Sequence, residues 1–354
     1  MTKIVKLDRE NPDIGLIDEA ANILISGGLV AFPTETVYGI GANSLNPDAV
    51  AKIFIAKGRP QDNPLILHIA EFQDLFKYAK NVPDNALKMM ELFWPGPLTM
   101  IFEKSDIVPP INTAGMDTVA IRMPSNTIAH TLIKRAGIPV SAPSANLSGK
   151  PSPTDASHVI NDLYGSVDMI IDGGSCDVGV ESTVVDMTGE IPIILRPGGI
   201  TKEMIMNAIG SVEVDPIVYK KPAKDLRPKA PGMKYKHYSP DAEVFIVKGN
   251  LGDVIKKIQE LTEFQLNNGK KVGIMATEQT CEKYRNGVVL VVGDRERPET
   301  IAKNLFRCLR EFDKKGVDIV YAEGFDYDEI GLAIMNRLEK AAGYKEIIAK
   351  GANS

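Results

Sequence analysis

A proline- and lysine-rich interruption between residues 213 and 241 constrains the fold of this chain more than any other feature. Its centre, YKKPAKDLRPKAPGMKYKHYSP, holds four prolines and neither a helical nor an alternating apolar pattern. Prolines at this density favour an extended, semi-rigid segment and interrupt helices and central strands alike. From Tyr219 to Lys236, Lys220, Lys221, Lys224, Arg227, Lys229, Lys234 and Lys236 face Asp225 alone, a net charge of +6. One continuous core cannot run through such a stretch. The expectation is two domains, residues 1–212 and 242–354, with 213–241 as a basic linker. At 354 residues the chain is long enough for two cores of roughly 100–200 residues each.

Beyond the linker the pattern is regular. The apolar strands AEVFIVK, KVGIMATE, GVVLVVG and DIVYAEG alternate with helical stretches such as LGDVIKKIQELTEFQLNNG, Pro298 to Lys315 and DEIGLAIMNRLEKAAG. Solid apolar strands separated by amphipathic helices predict a small Rossmann-like domain with a parallel sheet covered by helices. No GxGxxG follows any strand, so no dinucleotide is implied. The first 212 residues are less even. Helices are expected at 14–26, 47–57, 84–93, 126–136 and 155–163. Strands are expected at LVAFPTE, LILHI, LTMIF, TVAIRM, Ile138–Ser141, DMIIDG, STVVDM and IPIILR. Several late strands lack intervening helices, which predicts an α/β or α+β domain with one large, twisted, mixed sheet.

Charge and cysteine usage remove several functional classes. Forty-one Lys and Arg against 46 Asp and Glu give −5, which argues against a protein that wraps nucleic acid over its whole surface. Cys176, Cys281 and Cys308 are widely spaced and form no CxxC pair, so neither a disulfide framework nor a cysteine zinc site is expected. The uncharged run Ala20–Thr34, broken by Gly27, Gly28 and Pro33, is too short and too interrupted to span a bilayer. The start, MTKIVKLDRE, lacks the apolar core of a signal peptide. A cytoplasmic location is expected. HExxH, GxSxG and His/Cys clusters are missing from the sequence, so metalloprotease, serine hydrolase and structural-zinc chemistry have no support.

The motifs that remain sit at strand ends. PTETVYGIG (33–41) follows a buried strand and offers Thr34, Glu35, Thr36 and Tyr38 in a tight polar turn, where open sheets commonly place ligands. An ordinary connecting loop explains it equally well. KGRPQDNPLILH (57–68) sets Lys57 and Arg59 about a glycine, fixed charge suited to a polyphosphate or carboxylate. A helix stop explains the same residues, and His68 ending an apolar run is more often a satisfied core residue than a ligand. SAPSANLSGKPSPTD (141–155) is dense in small hydroxyls and amides, including Ser144, Asn146, Ser148 and Ser152. Its SGKPS stretch is not a Walker loop, because Ser144 stands where the first glycine belongs and Pro151 replaces the hydroxyl residue. Arg122 in an apolar strand must meet an anion. Glu181-Ser182-Thr183 opens STVVDM, Arg196 closes IPIILR, and Trp94 reads as a core anchor.

Taken in order, PTETVYGIG, the KGR step, SAPSANLSG and the EST turn resemble the YrdC-like threonylcarbamoyl-AMP synthases over residues 15–205. PGMKYKHYSP with the α/β tail is similar to the longer, two-domain branch of that family. The resemblance implies a nucleotidyltransferase that makes threonylcarbamoyl-AMP and pyrophosphate from L-threonine, bicarbonate or CO2, and ATP, for modification of the tRNA adenosine beside the anticodon. It implies Thr36, His68, Arg122, Ala142 (through its backbone) and Ser182 around threonine. It implies Arg59, Asn63, Thr118, Ser144, Ser152, Arg196, Tyr235 and Tyr238 around ATP, with Lys57, Arg59, Ser144 and Asn146 as the catalytic set. Mg2+ would accompany the triphosphate, with no dedicated metal site, and the product would pass to a tRNA threonylcarbamoyl-transferase, with weak tRNA contact possible. Such a site has little covalent chemistry to do; it orients reactants and neutralises charge. Two other readings stand beside it: an RNA-binding module that uses the basic linker with its interleaved tyrosines, and a carbamoyl transferase with another acceptor.

Overall fold

The structure, a computed structural model, describes residues 1–221, 228–233 and 237–349. Lys224, Asp225, Arg227, Lys234, Tyr235 and Lys236 of the basic stretch lie outside the described residues. The chain divides into two compact units: Met1–Ser148 with Ser152–Tyr235, and Gly149–Pro151 with Lys236–Ser354.

The first unit is built on a mixed sheet of twelve strands among the described residues. Their order is Lys3–Lys6, Met169–Asp172, Val30–Phe32, Gly39–Asn43, Val140–Ser141, Ile66–His68, Thr118–Arg122, Leu98–Lys104, Thr183–Asp186, Ile193–Arg196 and Glu213–Val214, with Ala79–Lys80 pairing Leu98–Lys104. Parallel and antiparallel pairs are mixed: Ile66–His68 runs parallel to Thr118–Arg122, and Leu98–Lys104 antiparallel to it. The expected helices form at Ile14–Ile25, Pro47–Lys57, Asp84–Phe93, Thr127–Ala136 and Ala156–Leu163. Side-chain caps start several of them, as small polar residues should: Asp13 accepts from the amides of Gly15 and Leu16, Asn46 from Asp48 and Ala49, and Asn126 from Ile128 and Ala129. Pro47–Lys57 and Thr127–Ala136 end at Gly58 and Gly137, both left-handed.

Helices cover the sheet in separate apolar patches. Ile17, Leu24, Ile128 and Leu132 pack on Phe32 and Met169, while Ile53, Phe54 and Val159 pack with Ile40 and Ile170. Met89, Met90 and Ile205 close over Leu67, Met100 and Ile121, and Trp94 anchors that patch, its indole N–H donating to the Leu98 carbonyl at 2.7 Å. Strands Lys3–Lys6 and Gly39–Asn43 and the helix Lys202–Ile209 were not expected from the sequence. Residues 39–43 carry two glycines and read as loop. They pair nonetheless, and the reason is steric: a side chain at Gly41 would collide with Phe32 at 2.6 Å and Val140 at 2.8 Å. The start of the proline-rich stretch belongs to this unit too, as the edge strand Glu213–Val214 and the short turn of helix Pro216–Val218.

The second unit holds five strands, all parallel, in the order Val288–Gly293, Val272–Thr277, Ile319–Glu323, Glu243–Lys248 and Glu346–Ile348. Helices Leu251–Asn267, Pro298–Lys314 and Gly331–Ala341 connect them, giving the Rossmann-like pattern the alternation predicts. At the ends of two central strands the fully buried Glu323 accepts from Arg295 at 2.7 Å, the Tyr284 hydroxyl at 2.7 Å and the Thr277 hydroxyl at 3.1 Å. Tyr238 belongs to this unit, buried with its ring 5.0 Å from that of Phe306 and under the Arg337 guanidinium. Gly149–Pro151 join it as well: the Pro151 carbonyl accepts from Arg310 Nη2 at 2.6 Å and Nε at 3.1 Å. Among the described residues, no helix is long and apolar enough to cross a membrane.

Candidate active site

The turn between the strands Val30–Phe32 and Gly39–Asn43 gathers the sequence motifs of the first unit. The Thr34 hydroxyl shapes it locally, donating to the Val37 carbonyl at 2.6 Å and accepting from the amides of Thr36 and Val37 at 3.2 Å. Backbone bonds then tie three other segments to it. Tyr38 N–H donates to Pro153 O at 2.8 Å, Ala145 N–H to Tyr38 O at 2.8 Å, and Asp177 and Val178 N–H to Glu35 O at 3.1 and 2.8 Å. A residue run that could have been a plain connecting loop is therefore a hub with buried polar side chains.

The Glu35 side chain faces Arg122. The two form a buried ion pair, Arg122 Nη2 to Glu35 Oε1 at 2.7 Å, with both side chains about nineteen-twentieths buried. Arg122 Nε donates to Gly96 O at 3.3 Å. His68 is the register neighbour of Arg122 across the sheet, and its Nδ1 lies 3.2 Å from the Ile66 carbonyl. Burial first, and the Arg122 charge second, push the His68 imidazole down to about 3. It is a neutral group at physiological pH. Ala142 spends its backbone N–H on Ile66 O at 3.1 Å, so any backbone contact of Ala142 to a ligand falls to its carbonyl.

Lys57 is buried at the last turn of its helix. Its ammonium donates to the carbonyls of Ser144 and Asn146, the latter at 2.5 Å, and lies 3.4 Å from Asn146 Oδ1. Ser148 N–H returns a bond to Lys57 O at 2.9 Å. The helix stop and the cation site are thus the same structure, for Gly58 turns the chain and Lys57 clamps the SAPSAN loop. Arg59 reaches back to the carbonyls of Asn63 at 3.3 Å and Pro64 at 2.9 Å. Thr118 opens the strand that Arg122 closes, so the two lie roughly 13 Å apart at about 3.3 Å per residue.

A third group forms where Thr183–Asp186 meets its neighbours. Arg196 donates from Nε to Ser182 O and from Nη2 to Ser182 Oγ, both at 3.0 Å, and from Nη1 to Pro231 O at 3.1 Å. Thr99 Oγ1 lies 2.7 Å from Ser182 Oγ, and Thr99 is the register partner of Arg122. Ser152 Oγ donates to Glu181 Oε1 at 2.5 Å. Beyond Pro231, Ala230 and Met233 are buried against Ile66, Ile101, Val184 and Leu195, and Lys229 pairs with Asp186 at 3.2 Å. Thr99 carried no weight in the sequence. Its signal was a lone hydroxyl inside an apolar strand, a group that must find a partner when buried.

Two buried oxygens among these residues lack a hydrogen-bond partner, Glu35 Oε2 and Asn63 Oδ1. Buried acceptors are rarely left so. Arg122 is paired with Glu35, while Lys57, Arg59 and Arg196 spend hydrogen bonds on backbone carbonyls.

Known proteins match this arrangement over its whole length. The Sua5/YciO/YrdC family model, described as telomere recombination, matches residues 22–198, and the model of the threonylcarbamoyl-AMP synthase C-terminal domain matches residues 200–343. The chain belongs to the Sua5/YciO/YrdC family. It is 50% identical over 347 residues to the threonylcarbamoyl-AMP synthase of Pyrococcus abyssi, covering 98% of this chain and 99% of that protein. It is 48% identical over 343 residues to the Bacillus subtilis protein of the same name, covering 97% and 96%. A crystal structure of P. abyssi Sua5 complexed with L-threonine superposes with a TM-score of 0.94 at 49% identity, over 99% of this chain and 100% of that one.

Proposed function

We propose that this chain is a threonylcarbamoyl-AMP synthase, a nucleotidyltransferase that joins L-threonine, bicarbonate or CO2, and ATP and releases pyrophosphate. The observation that carries this reading is the end-to-end relation to synthases of that name at 48–50% identity. The geometry supports it. The site offers fixed cations, hydroxyls and two unsatisfied buried oxygens, which is what a reaction of orientation and charge neutralisation requires.

In this reading Arg122 holds the threonine carboxylate, with Thr36, neutral His68, the Ala142 backbone and Ser182 around the rest of the amino acid. Arg59, Asn63, Thr118, Ser144, Ser152 and Arg196 hold ATP. Lys57 fixes the loop that carries Ser144 and Asn146. Tyr235 lies outside the described residues, and the buried Tyr238 ring is taken up by Phe306 and Arg337 in the second unit. Mg2+ would arrive on the triphosphate, held by phosphate oxygens and water. Residues 1–212 are the catalytic domain, 213–241 the linker and 242–354 the C-terminal domain. The product goes to a tRNA threonylcarbamoyl-transferase for modification of the adenosine beside the anticodon, in the cytoplasm.

The test is pyrophosphate release from ATP with magnesium and bicarbonate, with and without L-threonine, and with serine as control. Release that depends on threonine and bicarbonate is expected. No release from folded protein overturns the reading.

A further inference from the structure

Glu35 has a chemical role open to it that the ion pair with Arg122 does not use up. One of its oxygens, Oε1, accepts from Arg122 at 2.7 Å; the other, Oε2, is buried and has no partner. The residue is only about 5% exposed, so water does not readily satisfy it. An unmet acceptor of this kind costs free energy in the absence of a ligand. Arg122, for its part, uses Nε on Gly96 and Nη2 on Glu35. Its other terminal nitrogen remains for an incoming carboxylate.

A buried cation and anion side by side complement a zwitterion. This step rests on the synthase reading, in which Arg122 takes the carboxylate of threonine. The α-nitrogen of an amino acid is two bonds from its carboxylate carbon. With the carboxylate on Arg122, the ammonium falls next to the acceptor paired with that arginine, and four charges then alternate in sign. We propose that Glu35 Oε2 receives the α-ammonium of threonine and takes from it the proton that must leave before the nitrogen can attack.

The proton count closes. An ammonium has no lone pair. Transfer of one proton from nitrogen to Oε2 gives a neutral amine and a carboxylic acid. The freed pair forms the N–C bond to CO2 as one C–O π bond breaks, and the nitrogen then loses a second proton to water. The carbamate is left with its negative charge on oxygen. Neighbouring groups are poorly suited to the same work. His68, pushed down to about 3, resists protonation, and burial together with the Glu35 charge pushes the Cys176 thiol up to about 12. Arg122 is a permanent cation, and Asp177 meets Glu35 through its backbone N–H and pairs by its side chain with Arg9.

The variant that tests this is Glu35→Gln, which keeps the shape and an acceptor for Arg122 but not the basicity. In the pyrophosphate assay with all substrates saturating, its turnover at about pH 7 is expected to fall about a hundredfold or more, the usual contribution of a general base. Its rate should then climb about tenfold per pH unit toward pH 9, as solution supplies the neutral amine. Glu35→Asp should keep the wild-type pH profile at reduced rate. A Gln variant within a few-fold of wild type at pH 7, or one depressed by the same factor at every pH, overturns the proposal; the latter is what a merely structural role would give. A second measurement needs no variant: 2,3-dihydroxybutyrate, with hydroxyl in place of the ammonium, should bind wild type about tenfold or more weaker than L-threonine. Equal binding overturns the proposal even if the Gln variant does not fold. Wild-type protein with no threonine-dependent release would instead sink the synthase reading itself, so the two failures are distinct.

Discussion

Gly198 is the point at which one added methyl group should damage the site most. It follows Arg196-Pro197 and lies against the backbone of the Glu181-Ser182-Thr183 turn. A Cβ there would stand 2.3 Å from Thr183 N, 2.5 Å from Glu181 O and 2.6 Å from the Ser182 carbonyl carbon. All three are backbone atoms, so no rotamer change relieves the clash. Non-bonded heavy atoms meet comfortably at about 3.5 Å, so the two segments must part by roughly 1 Å. Overpacking of this kind costs about 1–3 kcal/mol, or about 2–4 °C of melting temperature per kcal/mol in a unit of this size. The effect on turnover should be larger. Arg196 is bonded to Ser182 O and Oγ at 3.0 Å, so prising the turn open moves both, and a 1 Å misplacement can cost about a hundredfold in rate. The assay is pyrophosphate release beside thermal unfolding of Gly198→Ala, with Gly137→Ala as control. Gly137 sits at φ +64° with nothing within 4 Å of a new Cβ, so its substitution should cost about 1–2 kcal/mol of backbone strain and leave turnover alone. Wild-type turnover in Gly198→Ala, or equal loss in both variants, would refute the reasoning.

Other perturbations follow from the same contacts. Lys57→Met removes the ammonium that clamps the carbonyls of Ser144 and Asn146; it should abolish turnover and cost about 2–4 kcal/mol in urea unfolding, since bonds to charged groups carry about 1.5–3 kcal/mol each. His68 has an ordinary value of 6.5 and a folded value of about 3, so the unfolded chain binds its proton first as pH falls. Stability from this residue is complete above about 6.5 and lost on acidification, by at most about 1.4 kcal/mol per pH unit. Urea unfolding of wild type and His68→Gln near pH 7 and pH 4 should show the variant less acid-sensitive, and equal sensitivity would reject the assignment. In the second unit, Glu323→Ala strands Arg295 and Tyr284 and should cost about 3–5 kcal/mol, the usual effect of breaking a buried charge pair, read as a lower denaturation midpoint of that unit.

The fold was legible where the hydrophobic period was clean. In the second unit the central strands form a parallel ladder between helices, so solid apolar runs and 3.6-residue periods announced it. In the first unit the helices were legible through their ends, Asn46 before and Gly58 after one, Asn126 before and Gly137 after another. Gly39–Asn43 was not, because its glycines make room for Phe32 and Val140 and so remove the side chains that signal a strand. Lys3–Lys6 was hidden differently: it is an edge strand, and its burial alternates too weakly over four residues to show a period.

The site divides along a physical line between local and distant partners. Residues whose partners are near in sequence could be read both ways, and at Lys57 both readings hold, since one residue ends a helix and clamps Ser144 and Asn146. For Arg122 the sequence required an anion without naming it. The anion is Glu35, 87 residues away, visible in PTETVY only as one polar residue among four. Composition demands that a buried charge be compensated, but topology chooses the partner. The same topology leaves Glu35 half-compensated, one oxygen on Arg122 and one on nothing. A fold optimised for stability alone would complete that pair or replace it with packed apolar side chains, often at no loss. An incomplete pair kept beside a turn that three other segments converge on is better explained by a zwitterion that completes it.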